Sequence, residues 1–82
     1  MKIRLLFFSL LQDFTSREEI DYPLPSASIT VGELLKKLYG DYKELADWDE
    51  KLLIAVNCEY ASRSDLVKSG DEVAIMPPVQ GG

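Results

Sequence analysis

The stretch best suited to chemistry is PPVQGG, where the reacting group would belong to the main chain. Pro77 and Pro78 fix φ and favour an extended, polyproline-like exit from a preceding strand. Gly81 and Gly82 carry no side chains, so they fit a channel that is too narrow for other residues. A carboxylate at Gly82 is ionised at neutral pH and is a poor electrophile. Acyl chemistry at this position therefore requires activation from outside, for instance by ATP.

The side chains offer little that could do chemistry unaided. The sequence has no histidine, so the commonest general base and metal ligand is missing. Cys58 lies in VNCEYA, beside an acid rather than a base, and we interpret it as a small residue in a turn or a half-buried site. With 14 acidic residues in the chain, neighbouring carboxylates such as Glu18 and Glu19 indicate a solvated face. Neither metal-ligand spacing nor a glycine-rich phosphate loop occurs, so we expect no bound cofactor, no metal site and no self-sufficient enzyme.

Composition and charge restrict the class of protein. The chain has 82 residues, of which 46% are hydrophobic and 28% charged, as expected for one small globular domain. A net charge of −5 disfavours nucleic acid as a partner and suits a basic protein surface. No apolar run approaches the ~20 residues that cross a bilayer, and the N-terminal segment alternates like a strand and lacks a signal-peptide cleavage site. We therefore expect a cytoplasmic protein with no membrane partner.

The clearest local signal is an amphipathic helix that begins after Thr30. The sequence TVGE places Glu33 three residues after Thr30, which is the spacing of a capping box. Gly40 is a natural stop for this helix, and the acidic residues 41–51 are predicted to form a loop with Trp48 as an aromatic anchor. Apolar residues at helical spacing form one stripe, and they are Val31, Leu34, Leu35, Leu38 and, at its end, Tyr42.

Three further segments complete a predicted sheet with strands at both ends of the chain. Residues 18–24 alternate weakly and predict a second strand, the nearly continuous apolar run at 52–56 predicts a central strand, and a short piece is predicted around Tyr60. The fold class is therefore α+β, with a mixed sheet of four to five strands and one main helix packed on one face. We divide the chain into a domain over residues 1–76 and an extended, flexible Gly-Gly tail over 77–82.

Strand parity predicts an apolar patch on the face that the helix leaves uncovered. In the first strand, residues 1–8, Ile3, Leu5 and Phe7 lie on the face toward the helix. Because side chains alternate along a strand, Phe8 then lies on the opposite face. The same alternation over residues 72–76 turns Met76 outward. Such a patch on a small protein is typical of a partner surface. The alternative is that the loop over 41–50 folds over both side chains.

Four segments together resemble the MoaD/ThiS family of ubiquitin-like β-grasp proteins, which includes sulfur-carrier subunits of molybdopterin synthase. The segments are LLFFSLLQ, ITVGELLKKL, LLIAVNCEY and SGDEVAIMPPVQGG, so the resemblance covers nearly the whole chain. Its most specific pieces are AVN, GDEVA and PPVQGG. Gln80 departs from the family endings PPVSGG and PPVTGG, and we expect it to tune the fit to a partner.

The resemblance implies a β-grasp fold and a role in molybdenum cofactor biosynthesis. An E1-like adenylyltransferase would use ATP to adenylate Gly82, and a sulfur donor protein would convert it to a thiocarboxylate. The sulfur would pass to cyclic pyranopterin monophosphate in the molybdopterin synthase large subunit, which would supply the catalytic side chains of a heterotetramer. This chain would be the non-catalytic, sulfur-donating subunit. Gly81 and Gly82 would form the reacting end, and the residues implied to bind partners are Phe8, Tyr60, Met76, Pro77, Pro78, Val79 and Gln80.

Other functions are open to the same residues. The tail chemistry would equally serve a sulfur carrier for thiamine thiazole synthesis, although those carriers are typically shorter and lack the double proline. A ubiquitin-like modifier joined to lysines through Gly82 is a second alternative. A plain interaction domain with an inert tail is a third.

Overall fold

Alternating strands and one amphipathic helix build an α+β fold in the computed structural model, which describes residues 2–8, 19–24 and 27–77. The elements in chain order are β1 Lys2–Phe7, β2 Glu19–Pro23, β3 Ser28–Thr30, α1 Val31–Asp41, α2 Lys43–Ala46, β4 Leu53–Val56, β5 Glu59–Tyr60, β6 Leu66–Lys68 and β7 Glu72–Met76. Of the predicted tail, only Pro77 falls within the described residues. The division into a domain and an extended tail therefore stays a prediction.

The mixed sheet has five strands in the order β2-β1-β7-β4-β5. β1 pairs in parallel with β7 and antiparallel with β2, and β4 pairs antiparallel with both β7 and β5. The predicted fold class is confirmed, with β7 as the central strand. A separate antiparallel pair, β3 and β6, is missing from the prediction because strands of three residues are too short to show an alternating pattern.

The core lies between one face of the sheet and helix α1. Alternate residues of β1 and β7 point into it, and the apolar stripe of α1 covers them, as the sequence predicts. Residues of the opposite parity in these strands stay partly exposed. The most deeply buried side chains include Ile3, Leu5, Phe7, Leu34, Leu35, Leu38, Val73 and Ile75.

Helix α1 begins with the predicted capping box. The Thr30 N–H donates to Glu33 Oε1 at 3.0 Å, and the Glu33 N–H donates to Thr30 Oγ1 at 3.1 Å. Hydrogen bonds from Thr30 lower the pKa of Glu33, because they favour the ionised carboxylate. The bond from the backbone N–H has the larger effect, and the bond from the hydroxyl has the smaller one. The two backbone N–H groups, of Thr30 and Glu33, would otherwise lack an acceptor within the helix, and each is bonded to the side chain of the other residue.

Loss of this cap has a measurable cost. We expect Thr30→Ala to lower the free energy of unfolding by about 1 kcal/mol, because the Glu33 N–H then has no side-chain acceptor. Urea denaturation followed by circular dichroism measures the change. Thr30→Ser is the matched control, since it keeps the hydroxyl and should stay close to the wild type. An unchanged midpoint in Thr30→Ala would contradict the role of the cap.

The predicted helix stop at Gly40 is wrong, since α1 continues one residue further. Tyr42 ends the helix, and its ring packs edge-to-face on Phe7 with 5.7 Å between the ring centroids. The Tyr22 hydroxyl donates to Asp41 Oδ2 at 2.7 Å. These contacts with the sheet offset the roughly 1 kcal/mol that glycine costs inside a helix.

The prediction of a loop over residues 41–51 is wrong at Lys43–Ala46, because these residues form the short helix α2. Leu45 in α2 is fully buried, and Trp48, three residues later, packs against the core as the predicted aromatic anchor. A helical turn brings residues at this spacing to one side. The segment therefore packs with α1 on the covered side of the sheet.

Candidate functional site

The face of the sheet opposite α1 carries an open apolar groove with a volume of about 280 Å³. Residues 41–50 pack on the other side, so they do not cover Phe8 and Met76. The predicted apolar patch is therefore present on the described surface. The described residues that line the groove are Leu6, Phe8, Ala55, Cys58, Tyr60, Glu72, Ala74 and Met76.

Strand register explains the shape of the groove. Leu6 pairs with Ala74, Ala74 with Ala55, and Ala55 with Tyr60, so these four residues form one row across β1, β7, β4 and β5. Paired residues in a sheet point to the same face. The two alanines make a low floor, and the larger Leu6 and Tyr60 stand on either side of it.

Three of the predicted partner-binding residues meet at this groove, namely Phe8, Tyr60 and Met76. Phe8 is 42% exposed and Tyr60 is 77% exposed, although both side chains are large and aromatic. Aromatic side chains can bury a large contact area at a low conformational-entropy cost, which suits them to protein docking. Strand parity predicts the placement of Phe8 and Met76, whereas Tyr60 is implied by the family resemblance alone.

The tail leaves the sheet at one end of the groove. Met76 is the last residue of β7, and Pro77 follows it in a half-buried position. The Phe8 N–H donates to Ile75 O at 3.2 Å, which keeps the ends of β1 and β7 together. Whatever follows Pro77 therefore starts beside two of the groove's apolar side chains.

The remaining predicted site residues are Pro78, Val79, Gln80, Gly81 and Gly82, and they lie outside the described residues. Their roles in carrying sulfur and in reaching a partner stay predictions. Pro77, the residue that precedes them, directly follows the central strand β7.

A tight turn at Asn57 and Cys58 brings Cys58 to the groove, where it forms one wall together with Tyr60. Both residues have positive φ, 51° and 71°, and the flanking Val56 and Glu59 are paired. This is the conformation of a two-residue type I′ hairpin, and it confirms the turn predicted here. Cys58 is exposed within that turn, in agreement with its interpretation as a small turn residue.

Glycine is the residue that the second position of this turn prefers. We expect Cys58→Gly to raise the free energy of unfolding by roughly 1 kcal/mol, because a Cβ at positive φ crowds the neighbouring carbonyl. Guanidinium denaturation measures the difference. Cys58→Ala removes the thiol but keeps the Cβ, so it should behave like the wild type. The expectation fails if Cys58→Gly is no more stable than Cys58→Ala.

A polar cluster that shares no residue with the groove lies beside α1. The Tyr39 hydroxyl donates to Asp49 Oδ1, and Arg63 Nη1 donates to the same oxygen at 2.7 Å. Burial is the main cause that raises the pKa of Tyr39 to about 12, and the hydrogen bond to Asp49 is the second. The hydrogen bonds from Tyr39 and Arg63 lower the pKa of Asp49. Arg63 O also accepts from the Gly32 N–H at 2.9 Å, which ties the segment before β6 to the helix. No local sequence pattern predicts this cluster, since its members are 10 and 14 residues apart.

The described residues also bear on two kinds of protein, those that cross a membrane with helices and those that bind a metal ion. No helix among them is long and apolar enough to cross a membrane, and they contain no group of three or more side chains suited to hold a metal ion. Glu72 is the one carboxylate among the described groove residues. The groove is therefore better suited to contact with apolar groups than to acid–base chemistry.

Comparison with known proteins agrees with the sequence motifs. Residues 5–82 match the model of the ThiS family. The molybdopterin synthase sulfur carrier subunit of Dictyostelium discoideum is similar to this chain, with 36% identity over 83 residues. That similarity covers 99% of this chain and 96% of the relative.

Solved structures share the fold. The HVO 2177 protein of Haloferax volcanii has a TM-score of 0.84 at 25% identity, covering 100% of this chain and 87% of that one. The small archaeal modifier protein 1 of Haloferax volcanii has a TM-score of 0.82 at 23% identity, covering 95% and 98% of the two chains, and this likeness concerns the fold alone. The family match spans nearly the whole chain and agrees with the fold, and so the chain belongs to the ThiS family.

Proposed function

We propose that this chain is the sulfur carrier subunit of a molybdopterin synthase, with Gly82 as the carrying group. The observation that carries the proposal is the similarity to a relative of that name over 99% of this chain. The family match extends to Gly82 itself. The apolar groove beside the start of the tail supports the proposal, because a carrier must be held by its partner while its terminus reacts.

The groove is the proposed docking surface for the large subunit of the synthase. Phe8, Tyr60 and Met76 would supply the apolar anchors, and the net charge of −5 suits a partner with basic groups around the contact. The residues from Pro77 to Gly82 can reach about 20 Å when they are extended. Such a tail can carry Gly82 from the groove into an active site within the partner.

Gly82 would alternate between a carboxylate and a thiocarboxylate. A carboxylate oxygen attacks the α-phosphorus of ATP on an E1-like adenylyltransferase, and pyrophosphate leaves. Sulfur at the sulfide level, supplied by a donor protein, then attacks the acyl carbon, and AMP leaves with the electrons of the C–O bond. The thiocarboxylate is a softer nucleophile than the carboxylate, and its sulfur bonds to a side-chain carbon of cyclic pyranopterin monophosphate while a carbon–oxygen bond to that carbon breaks and the oxygen leaves with the electron pair. Water cleaves the resulting thioester, which leaves sulfur on the pterin and restores the carboxylate.

The catalytic side chains of this cycle would belong to the partner enzymes. The described groove offers apolar contacts and one carboxylate, and the sequence contains no histidine. This chain therefore contributes a docking surface and a reactive terminus, and needs no cofactor of its own. We place the cycle in the cytoplasm, where ATP and the partner enzymes meet.

Other uses of the same terminus have less support. A relative whose similarity covers nearly the whole chain is a subunit of molybdopterin synthase by name, which favours that pathway over thiamine thiazole synthesis. The likeness to a small archaeal modifier protein concerns the fold alone, so it does not favour conjugation to lysines.

Reconstitution with defined components tests the proposal. The chain is prepared with a thiocarboxylate at Gly82 by sulfide cleavage of an intein fusion. It is then mixed with a molybdopterin synthase large subunit and cyclic pyranopterin monophosphate. We expect molybdopterin to form, detected by mass spectrometry, and the carboxylate form of the same chain to yield none.

Two outcomes would refute the proposal. One is the absence of molybdopterin with the thiocarboxylate form. The other comes from chain isolated from cells that contain the activating machinery. Lysine conjugates through Gly82, without any exchange of oxygen for sulfur at the terminus, would identify a protein modifier instead.

A further inference from the structure

Asn57 connects the turn of the β4–β5 hairpin to the start of the central strand β7. Its N–H donates to Glu72 O at 2.8 Å, and the Glu72 N–H donates to Asn57 Oδ1 at 3.0 Å. Its Nδ2 donates to Asp71 Oδ1 at 3.1 Å. The backbone and both polar atoms of this one side chain thus bind two consecutive residues of the neighbouring segment.

The same connection continues into the turn that precedes β7. Asp71 accepts from Asn57 through Oδ1 and from the Lys68 N–H through Oδ2, the latter at 2.8 Å. In that turn the Gly70 N–H donates to Lys2 O at 2.9 Å. Asn57 is therefore joined, through Asp71, to a turn that is itself bonded to β1.

The wall of the groove depends on this hairpin. Cys58 and Tyr60 form the wall. Cys58 lies in the turn, and Tyr60 belongs to β5, which has two residues and lies at the edge of the sheet. The floor residue Ala74 and the apolar Met76 belong to β7 instead. β5 reaches β7 only through its pairing with β4, whereas the turn is bonded to β7 directly, so the bonds of the turn contribute to the spacing between wall and floor.

We propose that Asn57 is a positioning residue for partner docking, which holds the Cys58–Tyr60 wall in place relative to β7. This inference rests on the proposed docking of the large subunit at the groove. Asparagine suits the position because it tolerates a φ of 51° and provides an acceptor and donors in one side chain. It acts through Cys58 and Tyr60, and it does not touch the reacting terminus.

Three variants separate the side-chain hydrogen bonds of Asn57 from its backbone conformation. Asn57→Gly permits the positive φ but removes Oδ1 and Nδ2. Asn57→Asp keeps an acceptor for the Glu72 N–H but places a carboxylate against Asp71. The double variant N57D/D71N exchanges the carboxylate and the amide, so the side-chain bonds can form again at an unchanged net charge.

Isothermal titration calorimetry with a molybdopterin synthase large subunit measures the effect on docking. We expect the dissociation constant to rise about tenfold in Asn57→Gly and in Asn57→Asp, and to return to the wild-type value in N57D/D71N. The rate of sulfur transfer at a saturating concentration of large subunit should stay unchanged in all three variants. Thr30→Ala is the control for stability, because it removes a helix cap outside the groove and should leave the affinity unchanged.

A wild-type affinity in Asn57→Gly, or a loss that N57D/D71N does not restore, would overturn the inference. If the wild-type chain itself does not bind the large subunit, the proposed function fails, and amide hydrogen exchange then decides the role of Asn57. Exchange at Cys58, Glu59 and Tyr60 should be about tenfold faster in Asn57→Gly and normal in the double variant. Unchanged exchange at these amides would show that Asn57 does not position the wall.

Discussion

Deletion of Gly82 is expected to abolish sulfur transfer while the fold stays intact. The deletion shortens the reach of the tail by about 3.5 Å, and a misplacement of about 1 Å at a reacting centre already costs on the order of 100-fold in rate. Since β7 ends at Met76, no strand residue is altered. Molybdopterin formed per unit time in the reconstituted reaction measures the loss, which should be at least about 100-fold.

The matched control for this deletion is Gln80→Ser, which changes the tail without shortening it. We expect that variant to transfer sulfur at a rate close to the wild type when the large subunit is saturating, because the reach of Gly82 is unchanged and a change in fit at residue 80 acts on binding. Circular dichroism and thermal unfolding should give the same result for the deletion, the control and the wild type. An active chain that lacks Gly82 would contradict a mechanism based on the terminus.

Phe8→Asp is expected to weaken binding of the large subunit by at least about 30-fold, the effect of losing a hot spot worth about 2 kcal/mol. Phe8 lies on the apolar groove and is 42% exposed in the free chain, so its replacement should have little effect on folding. In the complex, a carboxylate at this position would be removed from water without a partner. Surface plasmon resonance with the immobilised large subunit measures the dissociation constant.

Leu66→Asp provides the comparison for this substitution. Leu66 is also a large, exposed apolar side chain, at 57% exposure, but it does not line the groove. The same carboxylate there should leave the dissociation constant close to that of the wild type. Equal losses in both variants would indicate a general effect of charge, and equal wild-type affinities would place the docking surface elsewhere.

Regular patterns account for the parts of the fold that could be predicted from the sequence. The alternation in β1 and β7 depends on period-two side-chain geometry, and the capping box at Thr30 depends on residues only three apart, so both can be recognised locally. The same parity correctly turned Phe8 and Met76 to the open face. The predicted helix end at Gly40 is wrong because contacts between the end of α1 and the sheet decide where the helix stops. Tyr42 packs on Phe7 of β1, and Tyr22 of β2 donates a hydrogen bond to Asp41.

The features that were not predicted depend on residues that are distant in the sequence. The bonds between Asn57 and residues 71–72 join positions 14 and 15 apart. The groove floor forms because Ala55 and Ala74 become neighbours through the pairing of β4 with β7. Tyr60 could be assigned to this face only by family resemblance, since a two-residue strand has no pattern of its own. The roles of residues 78–82 remain predictions of the sequence.

The central position of β7 has a consequence for how the protein is made. This strand is the last of the sheet to be synthesised, yet β1 and β4 both require it as a neighbour. The sheet therefore cannot close until residues 72–76 have left the ribosome, and a chain truncated before them lacks the surface on which a partner would dock. The groove therefore forms only in chains that extend through β7, because Ala74 and Met76 of that strand line it.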